Sequence, residues 1–147
     1  MKVIAVIPAR YKSTRFEGKP LVNLCGKPMI WWVHHQLCQV KGLSEIYVAT
    51  DDERIGKVCS DYGIKYVMTS DSHPTHLDRL AEFAENIESD FYININGDEP
   101  LMMPEYVERL LPTSDLNPAD FYFANAMTKI KKTVEVADIS RIKVVTD

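Results

Sequence analysis

Cationic side chains are concentrated directly after the first apolar run of the chain, and their types suit the binding of an anion. Residues 8–20 read PARYKSTRFEGKP and hold four cations within ten positions, together with the acid Glu17. Arginine holds phosphate oxygens with a planar fork, lysine adds a point charge, and glycine lets the backbone approach closely. We therefore predict a phosphate-binding loop in which Arg10, Arg15 and Lys19 supply charge and Ser13 a hydroxyl donor. The alternative is a solvated basic loop.

A second polar segment, Asn96-Gly97-Asp98-Glu99-Pro100, follows a later apolar run. A carboxylate at the end of a buried strand is well placed for Mg²⁺, which takes one or two protein carboxylates and completes its shell with phosphate oxygens and water. Asp98 is the first candidate, because Gly97 frees the turn before it. The alternative is a tight turn that leads into the next helix.

An alternation of strands and helices is predicted to position both segments. Val3–Ile7 is continuous, apolar and β-branched, which is typical of a strand buried on both faces of a parallel sheet. Further strands are predicted at 45–49, 65–68, 91–95, 121–127 and 142–145, and helices at 28–40, 53–63, 76–87 and 104–111. This alternation favours βαβ units and a mainly parallel sheet. In such sheets ligands bind beyond the carboxyl ends of the strands, which directs attention to residues 8–20, 69–75 and 96–100.

Three local features carry more specific expectations. Asp51 and Asp52 are both predicted to cap the helix that follows them. His73 and His76 form an H-x-x-H pair without further ligands in register, so a metal site is not predicted there. Helix 76–87 is predicted to bury a stripe made of Leu77, Leu80, Ala81, Ala84 and Ile87.

The composition bounds the class of protein. The chain has 147 residues, a formal net charge of −4, 46% hydrophobic and 26% charged residues, which predicts one folded domain over residues 1–147. The mildly acidic balance argues against a nucleic-acid or anionic-membrane binder, and no apolar stretch is long enough to span a membrane. Cys25, Cys38 and Cys59 are odd in number and lack CxxC spacing, which predicts a reducing, cytoplasmic location rather than a disulfide framework.

Taken together, the segments resemble the cytidylyltransferases that activate acidic sugars, and most closely those specific for 3-deoxy-manno-octulosonate (KDO). The first loop, from Ile7-Pro-Ala-Arg to Gly18-Lys-Pro-Leu-Val, is the most specific match. The supporting matches are Gly26-Lys-Pro-Met-Ile, Val48-Ala-Thr-Asp51, Gly97-Asp-Glu-Pro100 and Ile142-Lys-Val-Val145.

The resemblance implies a three-layer, Rossmann-like α/β fold of the nucleotide-diphospho-sugar transferase type. It implies transfer of CMP from CTP to the anomeric hydroxyl of KDO, with release of pyrophosphate, in the synthesis of lipopolysaccharide or capsule precursors. Mg²⁺ would be the cofactor, held by Asp98, and Arg10, Lys19 and Asp98 would be the catalytic residues. The residues expected to bind the nucleotide are Pro8, Ala9, Arg10, Ser13, Arg15, Lys19, Arg79 and Asn96.

Three departures from the family pattern qualify these expectations. Glu17 stands where Pro is common, and Thr75-His76-Leu77-Asp78-Arg79-Leu80 stands where the family usually has Ser-Gly-Thr-Glu-Arg-Leu. The family's chains also continue well beyond 147 residues, so this sequence is expected to be the N-terminal part of a longer cytidylyltransferase and to lack the second metal-binding carboxylate. A homodimer is implied. The alternatives are CMP transfer to a sialic- or pseudaminic-type acid, or a truncated, non-catalytic nucleotide-binding module.

Overall fold

A parallel four-stranded sheet forms the centre of the protein. The computed structural model describes residues 1–12, 16–113, 122–139 and 143. The strands are β1 (Val3–Ala9), β4 (Glu45–Thr50), β5 (Tyr66–Met68) and β6 (Phe91–Asn94), in the order β5-β4-β1-β6. All three neighbouring pairs are parallel. A separate antiparallel pair, β2 (Asn23–Leu24) and β3 (Lys27–Pro28), leads into the first helix.

Helices cover both faces of the sheet, because β1 is apolar on both sides. Val3, Ala5 and Ile7 belong to one buried cluster, whereas Ile4 and Val6 belong to the other. Helices α1 (Met29–Leu37), α2 (Glu53–Asp61) and α4 (Pro104–Glu108) contribute to the first cluster, and α3 (His76–Asn86) contributes Phe83 to the second. The expected three-layer α/β fold with a mainly parallel sheet is therefore confirmed.

The strand order reverses between β1 and β6. From β1 the chain passes through α1 to β4 and through α2 to β5, each strand lying one place further out on the same side. Helix α3 then returns the chain to β6, on the other side of β1, where Val6 pairs with Asn94. The carboxyl ends of β1 and β6 thus border a crevice of the kind in which α/β proteins bind ligands.

Helix α3 begins as the sequence predicts but buries a different face. Thr75 is its N-cap and forms a capping box with Asp78, which fixes the helix start. The buried residues are Arg79 and Phe83. Leu77 is 58% exposed and Ala81 is exposed, so the prediction that both face inward is wrong. Leu80, Ala84 and Ile87 are partly buried, because they flank the face that Arg79 and Phe83 occupy.

The predicted fifth strand, 121–127, does not form over its described residues. Residues 122–127 lie in no strand, and no described strand pairs with them. A strand needs a neighbour to accept its backbone hydrogen bonds, which an apolar pattern alone does not supply. The start of this prediction at residue 121, and residues 142–145 apart from Lys143, lie outside the described part of the chain.

A short helix that was not predicted, α5, covers Thr133–Ala137. Within the described residues no helix has the length and apolar character needed to cross a membrane.

Candidate functional site

A cleft of about 450 Å³ lies at the carboxyl edge of the sheet, where the strand order reverses. Its walls come from the end of β1, the 3₁₀ turn Lys19–Leu21, the segment before and within the start of α3, and the turn after β6. Of the residues predicted to bind or catalyse, the cleft is lined by Pro8, Ala9, Arg10, Lys19, Arg79, Asn96 and Asp98. Ser13 and Arg15 lie outside the described residues. The fold thus brings together positions that are widely separated in sequence.

The base of the cationic loop is closed by one backbone hydrogen bond. The amide of Gly18 donates to the carbonyl oxygen of Tyr11 at 2.8 Å. Gly18 has a φ of 67°, and a Cβ at this position would lie 3.0 Å from the Tyr11 ring. Only glycine therefore fits without strain. Because Arg10 precedes Tyr11 and Lys19 follows Gly18, this hydrogen bond brings the two cations to the same edge of the cleft.

Lys19 and Asp98 form an ion pair across the cleft. The Lys19 Nζ atom lies 2.6 Å from Oδ2 of Asp98, and the two side chains are 37% and 48% exposed. The close approach depends on Gly97, where a Cβ would stand 3.3 Å from the carbonyl oxygen of Pro8. The turn after β6 can therefore lie directly against the end of β1. Asn96 is exposed on the same turn, and its amide nitrogen donates to Oε1 of Glu99 at 3.0 Å.

Arg79 is buried and holds three elements together. Its residue exposure is 4%, its Nη1 donates to Thr69 Oγ1, and its Nη2 lies 2.8 Å from Asp51 Oδ2. These bonds join α3 to the ends of β5 and β4. The expectation that Asp51 caps α2 is therefore wrong, because its carboxylate pairs with Arg79. Asp52 is the N-cap as predicted, since its side chain accepts from the amide of Arg54 at 3.0 Å.

The cleft also contains residues that the sequence analysis did not place in a site. His73, Pro74, Thr75 and His76 form one wall. The His73 Nε2 atom contacts Glu82 Oε2, and this contact is the main cause of a lowered pKa at Glu82. The sequence analysis had singled out residues 69–75 because they follow a strand, but it assigned no binding role to His73, Pro74, Thr75 or His76. No group of three or more potential His, Cys, Asp or Glu ligands occurs among the described residues.

The electrostatic character of the cleft suits an anion. Arg10, Lys19 and Arg79 line the cleft with a single lining carboxylate, that of Asp98. Because Arg79 is already paired with Asp51, the positive charge offered to an anion comes mainly from Arg10 and Lys19, in a protein whose formal net charge is −4. Focused positive charge in a concave, partly desolvated site raises the local concentration of anions. The carboxylate oxygens of Asp98, on the turn after β6, are of the kind that could hold a hard cation.

Comparison with known proteins agrees with this geometry. A family model described as cytidylyltransferase matches residues 4–147. The chain belongs to this family. It is 42% identical over 144 residues to the 3-deoxy-manno-octulosonate cytidylyltransferase of Escherichia coli, which covers 98% of the chain and 58% of that relative. It is 41% identical to the 8-amino-3,8-dideoxy-manno-octulosonate cytidylyltransferase of Shewanella sp. (strain W3-18-1), covering 61% of that protein.

Solved structures of other proteins share the fold of this chain. A structure of CMP:2-keto-3-deoxy-manno-octonic acid synthetase complexed with CTP is 46% identical, with a TM-score of 0.74 over 75% of this chain and 46% of that one. A 4-diphosphocytidyl-2C-methyl-D-erythritol synthase shares the fold at 18% identity and a TM-score of 0.58. The chain thus spans less than two thirds of the relatives it matches. The family and fold implied by the first loop are confirmed, while the roles of individual site residues stay predictions.

Proposed function

We propose that this cytidylyltransferase transfers CMP from CTP to the anomeric hydroxyl of 3-deoxy-manno-octulosonate. The observation that carries the proposal is the pairing of Lys19 with Asp98 inside a cleft that Arg10 also lines, at the reversal of strand order. The relatives named for this sugar, and the similar synthetase whose structure contains CTP, support the same assignment.

The proposed reaction needs charge neutralisation more than a nucleophilic side chain. The hydroxyl oxygen of the sugar attacks the α-phosphorus, the bond to the bridging oxygen breaks, pyrophosphate leaves, and the hydroxyl proton is released. Negative charge grows on the leaving pyrophosphate, so donors fixed beside it lower the barrier. Arg10 and Lys19 would supply these donors from the described residues, and Ser13 and Arg15 remain predicted contributors. Pro8, Ala9, Arg79 and Asn96 are proposed to line the remainder of the nucleotide site.

Asp98 is proposed to hold Mg²⁺. The donor set fits this ion, because the Asp98 carboxylate is about half exposed towards the cleft and a single protein carboxylate suffices when phosphate oxygens and water complete the shell. When bound, Mg²⁺ would neutralise phosphate charge. Lys19 already stands at the Asp98 carboxylate, so a phosphate chain bound there would meet both groups together.

Further proposals concern the domain organisation, the cellular compartment and the oligomeric state. We propose that residues 1–147 form one nucleotide-binding domain equivalent to the N-terminal part of the relatives, because the chain covers 58% of the Escherichia coli protein. The free thiols of Cys25, Cys38 and Cys59 support a reducing cytoplasm. The homodimer implied by the resemblance stays a prediction.

A second acceptor has a specific observation in its favour. The Shewanella relative is named for the 8-amino-3,8-dideoxy sugar, and its identity of 41% is close to the 42% of the relative named for KDO. Both names describe the same chemistry on acids that differ at one carbon. A non-catalytic nucleotide-binding module is an alternative of a different class.

Calorimetric titration with CTP, CDP and CMP, with and without Mg²⁺, tests the nucleotide site. Binding that is strengthened by Mg²⁺ and falls from CTP to CMP is the expected result, and absence of CTP binding would refute the proposal. Pyrophosphate release with KDO and with its 8-amino analogue then separates the acceptors. CTP binding without turnover on either sugar would favour the non-catalytic module.

A further inference from the structure

The base of the cationic loop is held from outside by a side chain that the sequence analysis did not assign. The Arg54 guanidinium carbon lies 3.2 Å from the centroid of the Tyr11 ring, which is stacking contact. The same ring lies beside Gly18, where an added Cβ would come within 3.0 Å of it. Tyr11 thus contacts both Arg54 of helix α2 and the closing residue of the loop.

Arg54 is itself fixed in place by Asp52. Its Nε donates to Asp52 Oδ1 at 2.9 Å and its Nη2 to Oδ2 at 2.7 Å, a bidentate pair that sets the plane of the guanidinium. These side-chain hydrogen bonds also hold the pKa of Asp52 below its ordinary value. Asp52 is the N-cap of α2, and α2 packs on the sheet. The pairing with Asp52 therefore fixes the orientation of Arg54 relative to the sheet.

We propose that Arg54 is a positioning residue for the phosphate-binding loop. By holding Tyr11 against Gly18, it fixes the hydrogen bond that closes the loop and so the separation of Arg10 and Lys19, which flank that bond. The role rests on the proposed binding of CTP, since the two cations are the groups assigned to its phosphates. Arg54 is not among the residues that line the cleft, and it acts through Tyr11 rather than on the nucleotide.

Calorimetry on three variants of the full chain tests the nucleotide side of the proposal. Arg54→Ala should weaken CTP binding about three- to fivefold and CMP binding less than twofold, because the spacing of the cations matters most to the longer phosphate chain. Arg54→Lys should not restore CTP binding, since an ammonium cannot form both the fork and the stack. Lys57→Ala is the matched control: it removes a cation of α2 that pairs with Asp61 and has a side chain 75% exposed.

Four binding results would overturn the proposal. Equal loss of CTP and CMP affinity in Arg54→Ala would show a general effect on the fold. Full CTP affinity in Arg54→Ala would show that the loop needs no support from Arg54, and full recovery in Arg54→Lys would show that only charge matters. Lack of CTP binding by the unaltered chain would overturn the proposed function and, with it, the role of Arg54 in binding.

Hydrogen exchange of the Gly18 amide tests, without any nucleotide, whether Arg54 stabilises the hydrogen bond between Gly18 and Tyr11. Faster exchange in Arg54→Ala than in Lys57→Ala, with the same unfolding midpoint, is the expected result, because the amide would leave the Tyr11 carbonyl more often. Equal exchange rates in the two variants would show that Arg54 does not stabilise this hydrogen bond, and would overturn the proposal whether or not CTP binds.

Discussion

The Nζ atom of Lys19 lies 2.6 Å from Oδ2 of Asp98, joining the turn after β6 to the loop after β1. Both side chains are more than a third exposed, so solvent screens their attraction and the pair contributes little to stability. Breaking the pair therefore costs little, which would leave Lys19 available for the phosphate and Asp98 for the Mg²⁺ of the proposed nucleotide complex.

Replacement of Lys19 by alanine should lower CTP affinity about tenfold and CMP affinity about twofold, since a charged hydrogen bond to the distal phosphates is lost. Isothermal titration with CTP, CMP and cytidine measures the difference. Lys57→Ala, which removes an exposed lysine remote from the cleft, should bind like the unaltered chain. An equal loss for CTP and cytidine would contradict the assignment of Lys19 to the phosphates.

Asp98→Asn should remove the strengthening of CTP binding by Mg²⁺, because an amide is a much poorer ligand for this ion than a carboxylate. The free energy of unfolding should change by less than about 1 kcal/mol, as expected for an exposed pair. Titration with CTP over a series of Mg²⁺ concentrations, with urea unfolding alongside, measures both quantities. Asp61→Asn, which removes the charge of the exposed partner of Lys57, is the control. If Mg²⁺ still strengthened CTP binding fully in Asp98→Asn, the metal would have to bind elsewhere.

Arg79→Met should lower the free energy of unfolding by about 3 kcal/mol, because it leaves the Asp51 carboxylate without its partner in a mostly buried place. Asp51→Asn should have an effect of similar sign, and the double variant should cost less than the sum of the two. Urea unfolding of the four proteins gives the coupling energy. Additive effects would show that Arg79 and Asp51 do not stabilise one another.

Acid should weaken the amino end of the sheet through Glu45. Hydrogen bonds from Lys65, Tyr47 and Lys2 lower the pKa of Glu45 from 4.5 to about 2. A carboxyl whose pKa is depressed in the folded state stabilises the protein above its unfolded pKa, and this contribution is lost as pH falls from about 4.5 towards 2. Urea unfolding from pH 7 to pH 3 should therefore show a shallower pH dependence for Glu45→Gln than for the unaltered chain, and identical slopes would refute the assignment.

The sequence predicted the sheet well, because its strands carry unambiguous signals. Val3–Ile7 is apolar without interruption, and a strand buried on both faces follows directly from that pattern. The phase of α3 was not predictable in the same way. Its buried face contains Arg79, which a count of apolar residues excludes, and burial of this charge becomes favourable only once Asp51 and Thr69 lie beside it.

The location of the site was predictable, whereas its contacts were not. Arg10, Lys19 and Asp98 could be selected because they follow β1 and β6, and the strand order brings these ends together. The stacking of Arg54 on Tyr11 could not be predicted from the sequence. Neither residue type indicates a partner, and the contact depends on how α2 packs on the sheet. Residues 122–127 illustrate the opposite error, an apolar pattern without a described partner strand.

The placement of β6 beside β1 has a consequence for the order in which the site forms during synthesis. Lys19 and Asp98 are 79 positions apart, so a nascent chain displays the cationic loop long before its carboxylate has left the ribosome. Contacts of such long range pay a larger entropy of loop closure and form late in folding. The proposed Mg²⁺ affinity should therefore appear only after β6 has docked beside β1.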